Sequence, residues 1–401
     1  MKILVISQNY YPDQFQINDI TSSLAAQGHE VTVLTGLPDY TTSSVPREYR
    51  FFRNRKQRVD GVEILRVSTF ARHHGAFCRS LNYLSFAING SLYATFHKRE
   101  FDVIFVYQLS PATMLMPAIR WSNKSGKRVL TYCLDIWPES VKAFGIRERN
   151  LSFRIIRKIS RFLYQRSHRI LVSSPPFLDY LTEVAGIPRG RMEYLPQYSN
   201  DANLEEDFTP LDNGVWDFLF AGNVGKLQDI ECILHASAQL RHRRDFRVHI
   251  LGDGSHLAAM KQMARSLDLG ETVVFHGRRP GREMGEYYRL ADACLVTLRG
   301  DSYIGNTIPL KLQGYMAAGK PVLGAINGGT AEIVREADCG ACVAAGDSQG
   351  LADLLERFMD KPQDFAGCGE RGRAYYREHF TKARFLAQLE RNLRELAEQS
   401  S

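Results

Sequence analysis

Residues Lys2–Leu34 read KILVISQNYYPDQFQINDITSSLAAQGHEVTVL, and their order decides the fold. Lys2–Ser7 is an apolar run without alternation, the pattern of a strand buried on both faces. Polar residues at helical spacing predict a helix over Phe15–Gln27, stopped by Gly28. Glu30–Leu34 (EVTVL) reads as the second strand. Strand, helix and strand in so short a span make a βαβ unit, which demands a parallel sheet. The loop Ser7–Asp13 (SQNYYPD) holds no glycine. A dinucleotide fingerprint needs glycines at that turn, so its absence counts against a nicotinamide-dependent dehydrogenase.

Outward from this unit the pattern repeats. Strands are expected at Val62–Val67, Val103–Tyr107, Val129–Cys133 and Arg169–Ser173, with helices at Leu81–Phe96, Pro111–Ser122 and Leu151–Arg166. The polar, acidic stretch Ser199–Asn213 reads as a linker. A second series follows, with strands at Trp216–Ala221, Arg247–Leu251, Val273–Phe275, Ala293–Thr297, Pro321–Gly324 and Ala341–Val343. The expected organisation is an α/β domain over 1–198, a second over 199–375, and a C-terminal helix over 376–401. Two such domains are expected to face a cleft, with ligands at the carboxyl ends of the strands.

Composition narrows the class. The chain has 401 residues, 44% hydrophobic and 24% charged, which suits folded domains and excludes disordered or fibrous architectures. Its net charge of +7 is unevenly placed: residues 1–198 hold 27 Lys and Arg against 15 Asp and Glu, the remainder 24 against 29. The basic half is expected to face something anionic. Arg47–Arg58 carries six basic residues with Phe51 and Phe52 between them, and is the candidate for an anionic membrane surface. Arg147–Arg169 carries eight, with Ile155, Ile156, Ile159, Phe162 and Leu163 at helical spacing, and has two readings, an anionic membrane surface or, slightly favoured, those residues packed in the core behind a solvated outer face. Neither Ser80–His97 nor Val103–Ile119 is apolar enough to span a bilayer, and Met1–Ile6 is too short for a secretory signal. The seven scattered cysteines read as reduced thiols. Cys339-Gly-Ala-Cys342 lacks the second ligand pair of a zinc site. No Asp-x-Asp stands at a strand end, so neither a metal nor another cofactor is expected.

Three strand ends carry candidate chemistry. FAGNVGKLQD (Phe220–Asp229) is a strand–loop–helix corner, read either as a phosphate cradle or as an ordinary turn. Gly252 follows one strand, and Gly277-Arg278 another. Asp301–Val322 (DSYIGNTIPLKLQGYMAAGKPV) is the strongest segment. Gly305-Asn306-Thr307-Ile308-Pro309 leads into a helix whose first turn bears Lys311, adding a full charge to the positive end of the helix dipole. That is chemistry for a diphosphate.

These segments, taken in order, resemble family 4 glycosyltransferases of the two-domain GT-B type. MKILVISQNYYPD, FAGNVGKLQD, LGDG, FHGRR, YYRLADACLVTL and PLKLQGYMAAGKPV carry the resemblance over essentially the whole chain. YQLSPATMLMPA, YCLDIWPESV and YLPQY are similar to the N-acetyl-L-fucosamine-type transferases of O-antigen and capsule assembly. The resemblance implies two Rossmann-like domains and transfer, with retention, of an N-acetylated hexose. The donor implied is a nucleotide-diphosphate sugar, UDP foremost. The acceptor is a polyprenyl-diphosphate-linked sugar, at the cytoplasmic face of an anionic membrane, with no nucleic acid as partner. With the residue reading above, the candidate catalytic residues are Asp135 and Lys311, and the candidate donor-binding ones Asn223, Lys226, Gln228, Gly252, Gly277, Arg278, Gly305, Asn306, Thr307 and Gln313. The sequence departs from the family at Asn223 and Gln228, where Arg and Lys are usual, at Asn306 and Gly314, where paired glutamates are usual, and at Leu134, where His precedes Asp135. Asp135 itself has two readings, a polar group at the acceptor and a cap ahead of Trp137-Pro138. A nucleotide-sugar epimerase and a non-catalytic nucleotide-sugar-binding protein stand as alternatives.

Overall fold

The computed structural model describes residues 1–40, 43–72, 75–144, 148–210, 212–300 and 307–400. The chain forms two compact units, Met1–Leu195 with Leu386–Ser401, and Pro196–Phe385.

In the first unit β1 (Lys2–Ile6), α1 (Gln16–Ala26) and β2 (Glu30–Thr35) realise the opening βαβ unit. Then come β3 (Lys56–Val59), β4 (Val62–Arg66), α2 (Ala76–Phe96), β5 (Val103–Gln108), α3 (Leu115–Ser125), β6 (Val129–Cys133), α4 (Leu151–Gln165), β7 (Arg169–Val172), α5 (Pro176–Glu183) and β8 (Met192–Tyr194). The sheet runs β3-β4-β2-β1-β5-β6-β7-β8. Only the β3–β4 pair is antiparallel. Strand β3, read KQRV, has no apolar pattern to mark it in the sequence, because it is an edge strand with charged side chains. Ile3–Ile6 and Val103–Val106 are fully buried, as a strand covered on both faces requires.

Helix α4 corrects the favoured of its two readings. Phe153, Leu163 and Tyr164 pack inward, whereas Leu151, Ile155, Ile159 and Phe162 are 70, 50, 43 and 49% exposed. The apolar stripe faces outward beside Arg154, Arg157, Lys158 and Arg161. On α2, Leu84, Ile88, Leu92 and Phe96 form a second exposed stripe. No helix among the described residues is long and apolar enough to cross a membrane.

The second unit contains β9 (Trp216–Ala221), α6 (Ile230–Gln239), β10 (Phe246–Leu251), α7 (Leu257–Ser266), β11 (Val273–Gly277), α8 (Met284–Leu290), β12 (Ala293–Thr297), α9 (Leu310–Ala317), β13 (Val322–Ala325), α10 (Gly328–Glu336), β14 (Gly340–Val343), α11 (Ser348–Asp360) and α12 (Cys368–His379). Its sheet, β11-β10-β9-β12-β13-β14, is wholly parallel. Strand order reverses at β9, as it does at β1 in the first unit, and loops diverge to opposite faces there. The stretch expected as a linker packs on this unit instead. Leu204 and Phe208 are buried, and Tyr376 Oη donates to Asp201 at 2.6 Å.

The last helix, α13 (Lys382–Glu398), returns to the first unit from Leu386 onward. Leu389, Leu393 and Leu396 are buried there. Asn392 accepts from Arg169 at 2.7 Å and donates to Glu193 at 3.0 Å, and His29 meets Glu390 at 2.9 Å.

Candidate active site

In the second unit the loops after β9 and β10 touch through their backbones. Gly222 N donates to Leu251 O, Val224 N to Asp253 O and His256 N to Val224 O, at 2.9, 2.9 and 3.0 Å. Gly252 makes this crossing possible. Its φ is +135°, and a Cβ there would lie 1.7 Å from Gly222 O. A Cβ on Gly254 would lie 2.4 Å from Val224 O. The same device continues outward, where Gly252 N donates to the carbonyl of Gly277 at 2.9 Å. Glycine is required here because two main chains occupy the space of a side chain.

Lys311 is the second residue of α9. Its Nζ donates to Gln228 Oε1 at 2.6 Å and stands 3.5 Å from the centre of the Phe220 ring. A Cβ on Gly222 would meet Lys311 Cε and Nζ at 3.1 Å. The ammonium therefore lies against the β9 corner, and Lys311 and Gln228, two candidates from the sequence, share one hydrogen bond. Burial pushes the Lys311 pKa well down from its ordinary value. An anionic group beside it would favour the charged form again.

The other donor-side candidates scatter around this centre. Asn223 and Lys226 are exposed on the β9 loop, and Arg278 is exposed just beyond Gly277. The carbonyl of Thr307 accepts from Thr330 Oγ1 at 2.9 Å. Gly305 and Asn306 lie outside the described residues. Gln313 is fully buried, and its amide nitrogen donates to Pro309 O at 3.0 Å and Leu310 O at 3.3 Å, which turns it into the first turn of its own helix. A side chain at Gly314 would meet Tyr288 Oη at 3.0 Å and Ser199 Oγ at 3.3 Å, so the surroundings hold no room for a glutamate without movement.

Sequence reasoning missed the groups that hold this corner. Tyr315 Oη accepts from Ala221 N at 2.8 Å, Thr297 Oγ1 donates to Gln228 O at 2.5 Å, and Arg299 pairs with Glu231 at 3.1 Å. Their signal was weak, since a single Thr or Arg after an apolar strand is common.

In the first unit Asp135 follows β6. Ser110 and Ser140 hydroxyls donate to its two oxygens, and Trp137 Nε1 donates to Ser110 Oγ at 2.8 Å. Gln108 Nε2 fixes the Asp135 carbonyl at 2.9 Å. Burial pushes the carboxyl pKa up, while Ser110, Ser140 and Trp137 oppose the rise by favouring the carboxylate. A second acid, not foreseen, lies at the end of β2. Asp39 Oδ2 accepts from Arg72 N at 2.8 Å and Asn82 Nδ2 at 2.9 Å, and Gln8 Nε2 donates to Asn82 Oδ1 at 2.7 Å. Burial pushes Asp39 up to about 6, against the hydrogen bond from Arg72. Tyr40 N donates to Asp13 at 3.2 Å, adding a third carboxylate nearby. Among the described residues no group of three or more His, Cys, Asp and Glu is placed to hold a metal.

Residues 15–197 match the model of the glycosyl transferase 4-like domain, and residues 202–375 that of glycosyl transferases group 1. The chain is 25% identical to a probable glycosyltransferase, WbjE, of Pseudomonas aeruginosa, over 86% of this chain and 83% of that one. It is 23% identical to WcaI of Escherichia coli strain K12, a putative colanic acid biosynthesis glycosyl transferase, over 80 and 82%. The crystal structure of Anabaena Alr3699/HepE in complex with UDP-glucose superposes with a TM-score of 0.72 at 15% identity, covering 98% of this chain and 100% of that one.

Proposed function

The chain is a glycosyltransferase of the GT-B type, and from that premise we propose that it moves an N-acetylated hexose from a UDP-sugar to a polyprenyl-diphosphate-linked sugar, with retention, at an anionic membrane face in the cytoplasm. The single observation that carries the donor side is Lys311 set in the first turn of α9 against the glycine crossing of Gly222 and Gly252. When the sugar–phosphate bond breaks, negative charge grows on the departing diphosphate. A cation and the N–H groups of a helix start, fixed beforehand, stabilise that charge more in the transition state than in the ground state. Gln228 holds Lys311 in place. Exposed Lys226 and Arg278 add charge at the rim, with Asn223 as a neutral polar contact.

In the first unit Asp135 is held by two hydroxyls in one orientation, which suits a polar contact to an acceptor hydroxyl. The similarity to a relative whose name refers to colanic acid supports polysaccharide assembly, and the UDP-glucose complex of the Anabaena protein supports a UDP donor. The exposed Phe51 and Phe52, 88 and 79% accessible, and the basic, apolar face of α4 support membrane contact.

Incubation with a panel of nucleotide sugars and lipid-linked acceptors tests the reading. Sugar transfer to a lipid-linked acceptor, with the anomeric configuration kept in the product NMR spectrum, is expected. Isomerised donor formed without acceptor, or tight donor binding with no transfer at all, overturns it.

A further inference from the structure

A cavity of about 260 Å³ opens in the first unit between α2, the Pro111–Thr113 turn and α4. Tyr83, Leu84, Ala112, Trp137, Ile156 and Ile159 line it, so its walls are overwhelmingly apolar. Leu84 and Ile159 are themselves 50 and 43% exposed, so the cavity opens onto the two outward apolar stripes. Its inner end is different. Trp137 lies there, donating through Nε1 to Ser110, which in turn bonds Asp135. Tyr83 meets Trp137 edge to face at 6.4 Å, and Arg79 stands in the same wall. The Thr113 hydroxyl, also lining the cavity, is buried without a hydrogen-bond partner among the described residues. Helix α4 contributes four basic residues, Arg154, Arg157, Lys158 and Arg161, and no acid.

We infer that this groove receives the proximal hydrocarbon chain of an isoprenoid diphosphate acceptor, running from the exposed stripes inward to Trp137. An apolar channel flanked by cations matches an amphiphile with an alkyl chain and an anionic head. Arg79, in the groove wall, supplies charge for the diphosphate, the exposed α4 cations face the anionic surface from which the chain enters, and the course of the chain brings the head group toward Trp137 and Ser110. The inference rests on the lipid-linked acceptor proposed above and gives it a place.

The probe is a farnesyl diphosphate analogue carrying a benzophenone at the chain end, photolysed on the intact protein. Labelling is expected in peptides from residues 76–96 and 151–165. Farnesyl diphosphate should compete with it, and inorganic diphosphate should not. Ala112→Phe fills the groove and should cut labelling at least tenfold. Ser80→Trp, at the exposed rim, does the same without touching the core, so a folding defect in the first variant leaves the second to decide. Labelling elsewhere, undiminished labelling in Ser80→Trp, or equal competition by phosphatidylglycerol vesicles overturns the groove, the last because the face then takes bulk membrane lipid. The two proposals separate cleanly. Groove labelling without sugar transfer to any polyprenyl-linked acceptor overturns the acceptor while sustaining the groove. Transfer at the wild-type KM for a long-chain acceptor in both variants overturns the groove alone.

Discussion

The two units solve the same problem, a polar site at the ends of parallel strands, with opposite materials. In the second unit the geometry is made by missing side chains: Gly222, Gly252 and Gly254 let main chains cross, and one lysine supplies charge. In the first unit it is made by side chains that hold one another, Asp135 with Ser110 and Ser140, Asp39 with Asn82 and Gln8. A backbone site is sensitive to added volume, and its pH response rests on the one buried lysine beside it. A network of buried acids responds to pH through each carboxyl, because each carboxyl's ionisation depends on its surroundings.

The sharpest test of this contrast removes the one charge from the backbone site. Lys311→Met keeps the stem over Phe220 and deletes the ammonium. Losing such a contact to developing charge costs about 2.7–4 kcal/mol, or ~10²–10³ in kcat. Stability should change little, since a buried amine, whose charged form burial disfavours, is replaced by an apolar group of similar length. The same lysine makes a signed prediction about pH. Its pKa is depressed by burial, so above that value it must take up a proton to meet a diphosphate. Donor affinity should therefore weaken as pH rises, with proton uptake visible by calorimetry in buffers of different ionisation enthalpy. Both effects should vanish in Lys311→Met. Wild-type kcat in that variant would remove the charge from the account.

Next in size is the added methyl. Gly252→Ala forces a Cβ against a carbonyl at an unfavourable φ, and should cost about 2–3 kcal/mol of stability and weaken donor binding. Gly270→Ala, with nothing within 4 Å of the new Cβ, should move the denaturation midpoint by under ~0.5 kcal/mol. Equal effects would mean the crossing is not tight.

How much of this was legible in the sequence follows the same division. The βαβ opening was readable because buried parallel strands are continuous apolar runs, and Lys2–Ile6 and Val103–Gln108 are such runs. The glycine corner stood out because it follows apolar runs of the same kind, Trp216–Ala221 and Phe246–Leu251, and Lys311 because it falls in the first turn of a helix. Asp39, Asn82 and Arg72 were not, since they come from two separate loops and helix α2, whose meeting no local pattern records. The direction of Gln313 was hidden for a related reason: polarity says nothing about direction, and its amide turns to its own helix. The direction of the α4 stripe was left between two readings because periodicity marks an apolar face without saying what covers it.

The acid network offers the third test. Asp39 has a pKa raised to about 6 in the fold, against about 4 in the unfolded chain. Between those values the folded state holds the extra proton, so stability falls as pH rises from about 4 to about 6, by up to ~2 kcal/mol. Asp39→Asn should flatten this slope while keeping an acceptor for Arg72. Denaturant midpoints across that range check it, and an unchanged slope would show that Asp39 is not the group responsible.

The smallest effect concerns the outer face. Arg157→Gln on α4 should weaken binding to anionic vesicles by about 1 kcal/mol, close to fivefold, and the loss should shrink in high salt. Unchanged binding would move the membrane contact to Phe51 and Phe52.

The return of α13 to the first unit has a practical consequence for anyone cutting this chain into parts. Pro196–Phe385 is one continuous stretch and can be expressed as it stands. The other half is not: ended at Leu195 it lacks the helix that carries Leu389, Leu393 and Leu396 and leaves Arg169 and Glu193 without Asn392. A workable fragment must splice Leu386–Ser401 back on, for instance by a flexible tether after Leu195 or by circular permutation. For the same reason a stop introduced at Leu386 removes part of the first-made unit, not of the second.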